Sequence, residues 1–294
     1  MRSRGMAAGY LLDMLVRDPR RGHPVAVFGR AAGWWERRVY RDSAVAGAVF
    51  AAGAVLPAVG LGRLAERGGE AATAAVTWAV LGGTMLCREA EGVARALEQG
   101  DVELARELLP RLCGRDPSGL GEREIARAVV ESVAENTSDA VVGPLVWGAL
   151  GGAAGLAGFR AVNTLDAMVG HRNARYRRFG APAARLDDLA GWAPARLTAL
   201  LAVAAAPLVG GNAGEAWRVW RRYGDRHPSP NAGQCEAAFA GALGVSLGGA
   251  NVYGDREERR PRMGEGPPPR VADIRRAVRL SRAVGAGALA VAAL

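Results

Sequence analysis

The chain alternates between long stretches that carry no charge and shorter stretches crowded with charge. Residues 43–62, 71–87, 140–159, 197–214 and 283–294 contain no Asp, Glu or Arg. About 20 apolar residues of helix are needed to cross the hydrocarbon core of a bilayer. Residues 43–62 meet that length, 71–87 fall slightly short, and 283–294 are too short unless the chain continues. Residues 140–159 are long enough, but Pro144 and glycines at 148, 151, 152, 155 and 158 weaken them as a helix in water. In a membrane such small residues let helices approach closely, and a re-entrant segment buried in protein is the alternative to a span. Residues 237–252 are uncharged but Gly-rich and stay ambiguous. Between the runs, helical periodicity predicts helices over 89–109, 122–135 and 271–283, with a proline loop at 265–270. Sustained alternation with turn signals is absent, so no substantial sheet is predicted. The pattern predicts an all-α, polytopic integral membrane protein, a single membrane-embedded domain over 1–294 with charged helical loops.

Composition agrees with this and narrows the chemistry. Half of the 294 residues are hydrophobic but only 6% are aromatic, and the formal charge is +9. All 38 basic residues are Arg, because the chain contains no Lys. That excludes a Walker-A phosphate loop and a lysine Schiff base. Arginines do not form a stripe with interleaved aromatics, so nucleic acid is not an expected partner. Residues 88–139 hold 12 acidic against 7 basic residues, whereas 160–196 hold 7 Arg against 3 Asp and 255–282 hold 9 Arg against 5 acids. The positive-inside rule puts the last two segments on the cytoplasmic side of a multi-pass protein of the inner membrane. Cys87, Cys113 and Cys235 are far apart and odd in number, which predicts reduced thiols without a metal spacing. The first residues do not read as a signal peptide.

Two stretches carry the candidate chemistry. In REIARAVVESVAENTSD, Arg123, Arg127, Glu131, Glu135 and Asp139 recur every four residues and form one stripe if the helix continues. A salt-bridged solvent face is the plain explanation. Against it, Arg precedes Glu, the poorer order for such pairs, and the acids gather at the helix C-terminus, where the macrodipole disfavours them. Carboxylates placed so suit a cation or a cationic substrate group; Mg²⁺ is typically held by one or two carboxylates plus phosphate oxygens. Asp139 can alternatively cap the next helix. In RAVNTLDAMVGHRNARYRRFGAPAAR, Asn163, Asp166, His171, Arg172, Arg175, Tyr176, Arg177, Arg178 and Arg185 crowd together. Arginines at that density bind phosphates through bidentate forks, or orient a basic loop against anionic lipid. Asp187 and Asp188 follow; adjacent carboxylates cannot both face one way on a helix, so if they share a metal they sit in a loop or turn. Asp13, Asp18 and His23, and later His227, Ser229, Asn231 and Glu236, fit plain turn chemistry.

The same residues carry a resemblance. ESVAENTSDAVVGPL followed by RAVNTLDAMVGHRNARYRRFGAPAARLDDLAGWAPARLTAL closely resembles the CobD/CbiB family of cobalamin biosynthesis. RDPRRGHPVAVFGR near the start and HPSPNAGQCEAAFAGALGVSLGGANVYG toward the end extend the likeness over nearly the whole chain. One departure is Arg17 before Asp18-Pro19, where the family carries Gly. The resemblance implies an integral membrane adenosylcobinamide-phosphate synthase. Such an enzyme joins adenosylcobyric acid to aminopropanol or its O-phosphate by an amide bond, using ATP and Mg²⁺ with the adenosylcorrinoid as substrate. Under that implication Glu135, Asp166 and His171 are the catalytic candidates. Glu131, Glu135, Asp139, Asp166 and Asp187 are candidates for the metal. Asn136, Asn163, Arg172, Arg175, Tyr176, Arg178 and Arg185 are candidates for substrate. The lipid bilayer, a second copy of the chain or other late cobalamin-pathway enzymes are the partners it admits. The alternative is a corrinoid-binding transporter or assembly protein without catalysis. A single site further requires that residues 140–159 do not separate Asp139 from Asp166 across the membrane.

Overall fold

The computed structural model describes residues 2–16, 19, 22–171, 173–253 and 256–294, and all but the side chains of residue 2 and of residues 250–259 within them. Among the described residues thirteen α-helices run in order: α1 Arg2–Leu15, α2 Pro24–Val39, α3 Ala44–Ala65, α4 Gly69–Val80, α5 Gly83–Glu98, α6 Val102–Leu108, α7 Glu122–Thr137, α8 Gly143–Val169, α9 Ala181–Ala190, α10 Trp192–Ala205, α11 Ala213–Tyr223, α12 Ala232–Leu243 and α13 Val271–Ala292. One antiparallel hairpin, β1 Leu247–Tyr253 with β2 Arg256–Met263, interrupts them, with Leu247 opposite Met263 and Tyr253 opposite Arg256. The protein is an all-α membrane protein. Three stretches of the described residues, within Ala44–Glu98, Glu122–Val169 and Trp192–Val209, are long and apolar enough to cross a membrane. The hairpin was not expected. Its strands lack a clean period of two, because Gly248 and Gly249 take positive φ at an irregularity in the register.

Contacts divide the chain into two units: residues 1–82, 139–194 and 289–294, and residues 83–138 and 195–288.

Small residues build the first unit. Gly5 and Gly9 on α1 face Thr73 and Thr77 on α4, and a Cβ on Gly5 would stand 2.8 Å from Thr73 Cβ. Without a hydrophobic driving force between helices in lipid, such close approach supplies the packing. α3 packs on α8 around Phe50, Leu165, Val169 and Phe179.

α8 is not a straight rod. Gly152, at φ 62° and ψ −149°, takes a conformation essentially reserved for glycine and turns the helix back. Gly143 lies against Phe159 and Gly155 against the Trp147 carbonyl, while a Cβ on Gly148 would be 2.9 Å from Leu156. Residues 140–159 therefore form a helical hairpin closed by glycine contacts, with Leu150 exposed at its tip.

In the second unit α12 is buried along its whole length. α7, α11 and the β hairpin pack against it.

Candidate functional site

The turn at Gly152 determines which residues meet in the first unit. The two arms of the hairpin run antiparallel, so Asp139 and Asn163 come together across 24 positions of sequence. Asn163 Nδ2 donates to Asp139 Oδ2 at 3.2 Å and to Asp187 Oδ1 at 3.4 Å. One amide thus gathers two carboxylates from separate elements. Asp139 lies in a π-helical turn, Ser138–Val142, between α7 and α8. The wider turn breaks the four-residue stripe after Glu135, and it makes Val142, not Asp139, the N-cap of α8. π turns frequently mark functional positions. Asp187 and Asp188 lie in α9, not in a loop. Asp166, near the C-terminus of α8, feels the charges of Asp188 and His171. His171 itself is exposed just past the helix end.

In the loop that follows α8, Arg175 and Tyr176 are held by a buried acid. Arg175 Nη2 donates to Glu36 Oε1 at 2.9 Å and Tyr176 Oη donates to the same oxygen at 3.0 Å. Tyr40 Oη donates to the Arg175 carbonyl at 2.9 Å, and the Arg175 guanidinium stacks 4.1 Å from the Tyr40 ring centroid. This fixes a planar fork at an exposed edge. Arg178 stands 3.9 Å from Asp42, with both side chains exposed, and Arg185 is exposed on α9. Arg172 and Asp18 lie outside the described residues.

Glu131, Glu135 and Asn136 belong to the second unit and have other surroundings. Glu131 uses both carboxylate oxygens: Arg115 Nη2 donates to Oε2 at 2.6 Å and the Gly248 amide to Oε1 at 2.7 Å. Arg115 and Glu131 are 4% and 3% exposed, so a cation at Glu131 would compete with a buried arginine. Asn136 Nδ2 donates to the Ser132 carbonyl at 2.9 Å. The centre of this cluster is Glu236 on α12, which is fully buried. Its carboxyl oxygens have no hydrogen bond among the described residues. Arg260 and His227 stand at ion-pair distances of 3.7 and 3.9 Å. Burial pushes the Glu236 carboxyl well above its ordinary range, Glu131 and Glu135 add to this, and Arg260 and Arg115 oppose it. Burial likewise pushes the Cys113 thiol up, away from a reactive thiolate. Turn chemistry accounts for Ser229, whose Oγ accepts from Ala232 N, but not for Glu236. The sequence held one signal for it: a lone acid in AGQCEAAFAGAL, a helix otherwise without charge.

No group of three or more His, Cys, Asp or Glu among the described residues is arranged to hold a metal. The pair Asp139 and Asp187, hard oxygen donors with the Asn163 amide, matches the smaller protein share that Mg²⁺ takes, one or two carboxylates with substrate phosphate completing the shell.

The family described as CobD/Cbib protein matches residues 6–281. The chain belongs to the CobD/CbiB family. The "Cobalamin biosynthesis protein CobD" of Mycobacterium tuberculosis is 54% identical, with 100% of this chain and 95% of that protein covered. Proteins of the same name from Geobacter metallireducens and Chromobacterium violaceum are 45% and 43% identical, covering 87% and 92% of this chain and 84% and 89% of their own lengths. No solved structure matches the chain. Family membership extends over the hairpin, the arginine-rich loop and α9, the elements that bring Asp139, Asn163 and Asp187 together.

Proposed function

We propose that this chain is the membrane enzyme of cobalamin biosynthesis that forms the amide between adenosylcobyric acid and aminopropanol or its O-phosphate, at the expense of ATP. Family membership supports the role in cobalamin biosynthesis. The observation that supports this chemistry is the meeting of Asp139 and Asp187 on Asn163, in the arm of α8 that runs on into the basic loop.

A carboxylate is a poor acyl donor to an amine, because oxide would have to leave. Attack of the carboxylate on the γ-phosphorus of ATP releases ADP and gives an acyl phosphate. The amine then attacks the carbonyl carbon and phosphate leaves. Positioning and charge neutralisation dominate phosphoryl transfer of this kind. Asp139 and Asp187 would hold Mg²⁺, which supplies charge neutralisation at the phosphates. Arg175, set by Glu36 and Tyr40, and Arg178, Arg172 and Arg185 clamp phosphate oxygens. His171, exposed just past the end of α8, takes the proton that the ammonium must lose before it attacks. Asp166 supports the resulting imidazolium, and Asn163 holds the two acids in register.

The test is turnover of purified protein in liposomes with adenosylcobyric acid, aminopropanol phosphate and Mg²⁺, with and without ATP, read by mass spectrometry of the corrinoid. ATP-dependent product is expected, and Asp187→Ala should lower kcat by on the order of 10–100-fold while the protein stays folded. Corrinoid bound without any product would favour the transporter or assembly protein instead.

A further inference from the structure

α2 presents a face that none of this chemistry uses. Arg30, Gly33 and Arg37 recur at i, i+3 and i+7, on one side of the helix. Together with Gly29, and with Thr164 and Met168 from α8, they line an open groove of about 700 Å³. Arg30 and Arg37 are exposed, and neither makes a hydrogen bond or an ion pair among the described residues. The two arginines are about 10 Å apart along the axis, within the combined reach of two guanidinium arms. Gly33 leaves the space between them open, and a Cβ there would lie 3.8 Å from Arg37 Nη1, so that guanidinium already folds back over the gap. A groove with an apolar floor and two uncommitted forks is complementary to a phosphate attached to an apolar body.

The position of α2 says where such a body comes from. Only four residues separate Val39 from α3, whose apolar run enters the membrane. Trp34 is 50% exposed, and the Arg38 guanidinium stacks 3.8 Å from its ring centroid. Aromatic rings and arginines next to the start of a span belong at the level of the lipid headgroups. The geometry points to a site for one anionic phospholipid, with its phosphate between Arg30 and Arg37 and the start of an acyl chain along Gly29, Gly33 and Met168. This goes beyond the amide-forming reaction and does not depend on it.

Native mass spectrometry of the protein in detergent, titrated with phosphatidylglycerol or with phosphatidylcholine of the same chains, tests it. The wild type should retain phosphatidylglycerol selectively. Arg30→Ala with Arg37→Ala should bring its binding down to that of phosphatidylcholine, a loss of about 5-fold per arginine. Arg67→Ala, an exposed arginine elsewhere in the first unit, should leave binding unchanged. Gly33→Leu keeps both charges and fills the groove. The nearest atoms to a new Cβ are 3.7 Å away, an ordinary contact, and the rest of the side chain enters the open groove, so the variant should lose the lipid, which decides the matter even if the double variant fails to fold. Equal retention by wild type and both variants overturns the proposal. Displacement of the lipid by glycerol phosphate at matched concentration also overturns it, and assigns the arginines to a soluble phosphate ligand.

Discussion

Burying a carboxyl group without a hydrogen bond costs several kcal/mol if it stays charged, and a buried acid usually keeps its proton instead. Glu236 is in that position, at the centre of a helix of small apolar residues. An acid whose pKa is higher in the folded chain than in the unfolded one binds its proton more tightly when folded. Its contribution to stability is complete below the unfolded value of about 4.5 and is lost progressively as pH rises from there toward the raised folded value. Glu236→Gln copies the shape of the protonated acid and cannot ionise. Thermal midpoints in detergent should therefore fall for the wild type as pH climbs above about 4.5 and fall less for Glu236→Gln. Parallel curves would show that Glu236 is charged in the fold and compensated by Arg260. The neighbouring Glu131 differs because its charge is paired. Removing it would strand a buried arginine, a change that costs about 3–5 kcal/mol. Both acids are plain in the sequence, but what distinguishes them is not. Glu131 stood out through its spacing to Glu135, while Glu236, with His227 nearby in the sequence, meets Arg260 and the charges of Glu131 and Arg115 only when separate parts of the chain are folded together.

At the scale of elements, α8 decides whether the central motifs can act together. The uncharged run over 140–159, and its glycines, are legible in the sequence; which glycine turns the chain is not. Gly143, Gly148 and Gly155 are needed because neighbouring atoms leave no room for a Cβ, and only Gly152 of the run adopts a positive φ. Sequence shows the composition common to both uses, and tertiary contact assigns each glycine its own. Gly152→Ala forces an L residue into a region that costs on the order of 1–3 kcal/mol. It should lower the thermal midpoint and, by releasing Asn163 from Asp139, reduce turnover more than Gly151→Ala does, since a Cβ on Gly151 meets nothing. With the three native cysteines replaced, cysteines placed at 139 and 163 should crosslink, and they should not once Gly152→Ala is added. If both backgrounds crosslink equally, the hairpin survives without its glycine. The β hairpin and the division of the acidic stripe were hidden for the same kind of reason. A glycine-rich strand has little alternation to read, and one wide π turn removes Asp139 from a series that regular helical spacing would continue.

At the scale of the whole molecule, two different forces can hold this chain to a membrane, and only one of them is weakened by salt. With +9 charges, all the cations being arginine, it could adhere to anionic lipid as a surface protein. That attraction is screened over a Debye length, about 3 Å at molar ionic strength. The apolar stretches within Ala44–Glu98, Glu122–Val169 and Trp192–Val209 work independently of salt. Val45, Val49, Leu56, Leu61 and Leu64 of α3 are more than half exposed in the chain itself, and in water they would be an apolar face without cover. Burial of such side chains in lipid contributes about 25 cal/mol per Å², far more in sum than the surface charges retain in salt. Membranes carrying the protein, washed in molar salt and then in alkaline carbonate, should keep it in the pellet, and only detergent should release it. Release by salt alone would mean that the charges hold the protein and that the exposed face of α3 is covered by protein. In that case cross-linking after the wash would show a partner over α3, and the spans would have to be abandoned together with the lipid site on α2, which takes its depth in the membrane from them.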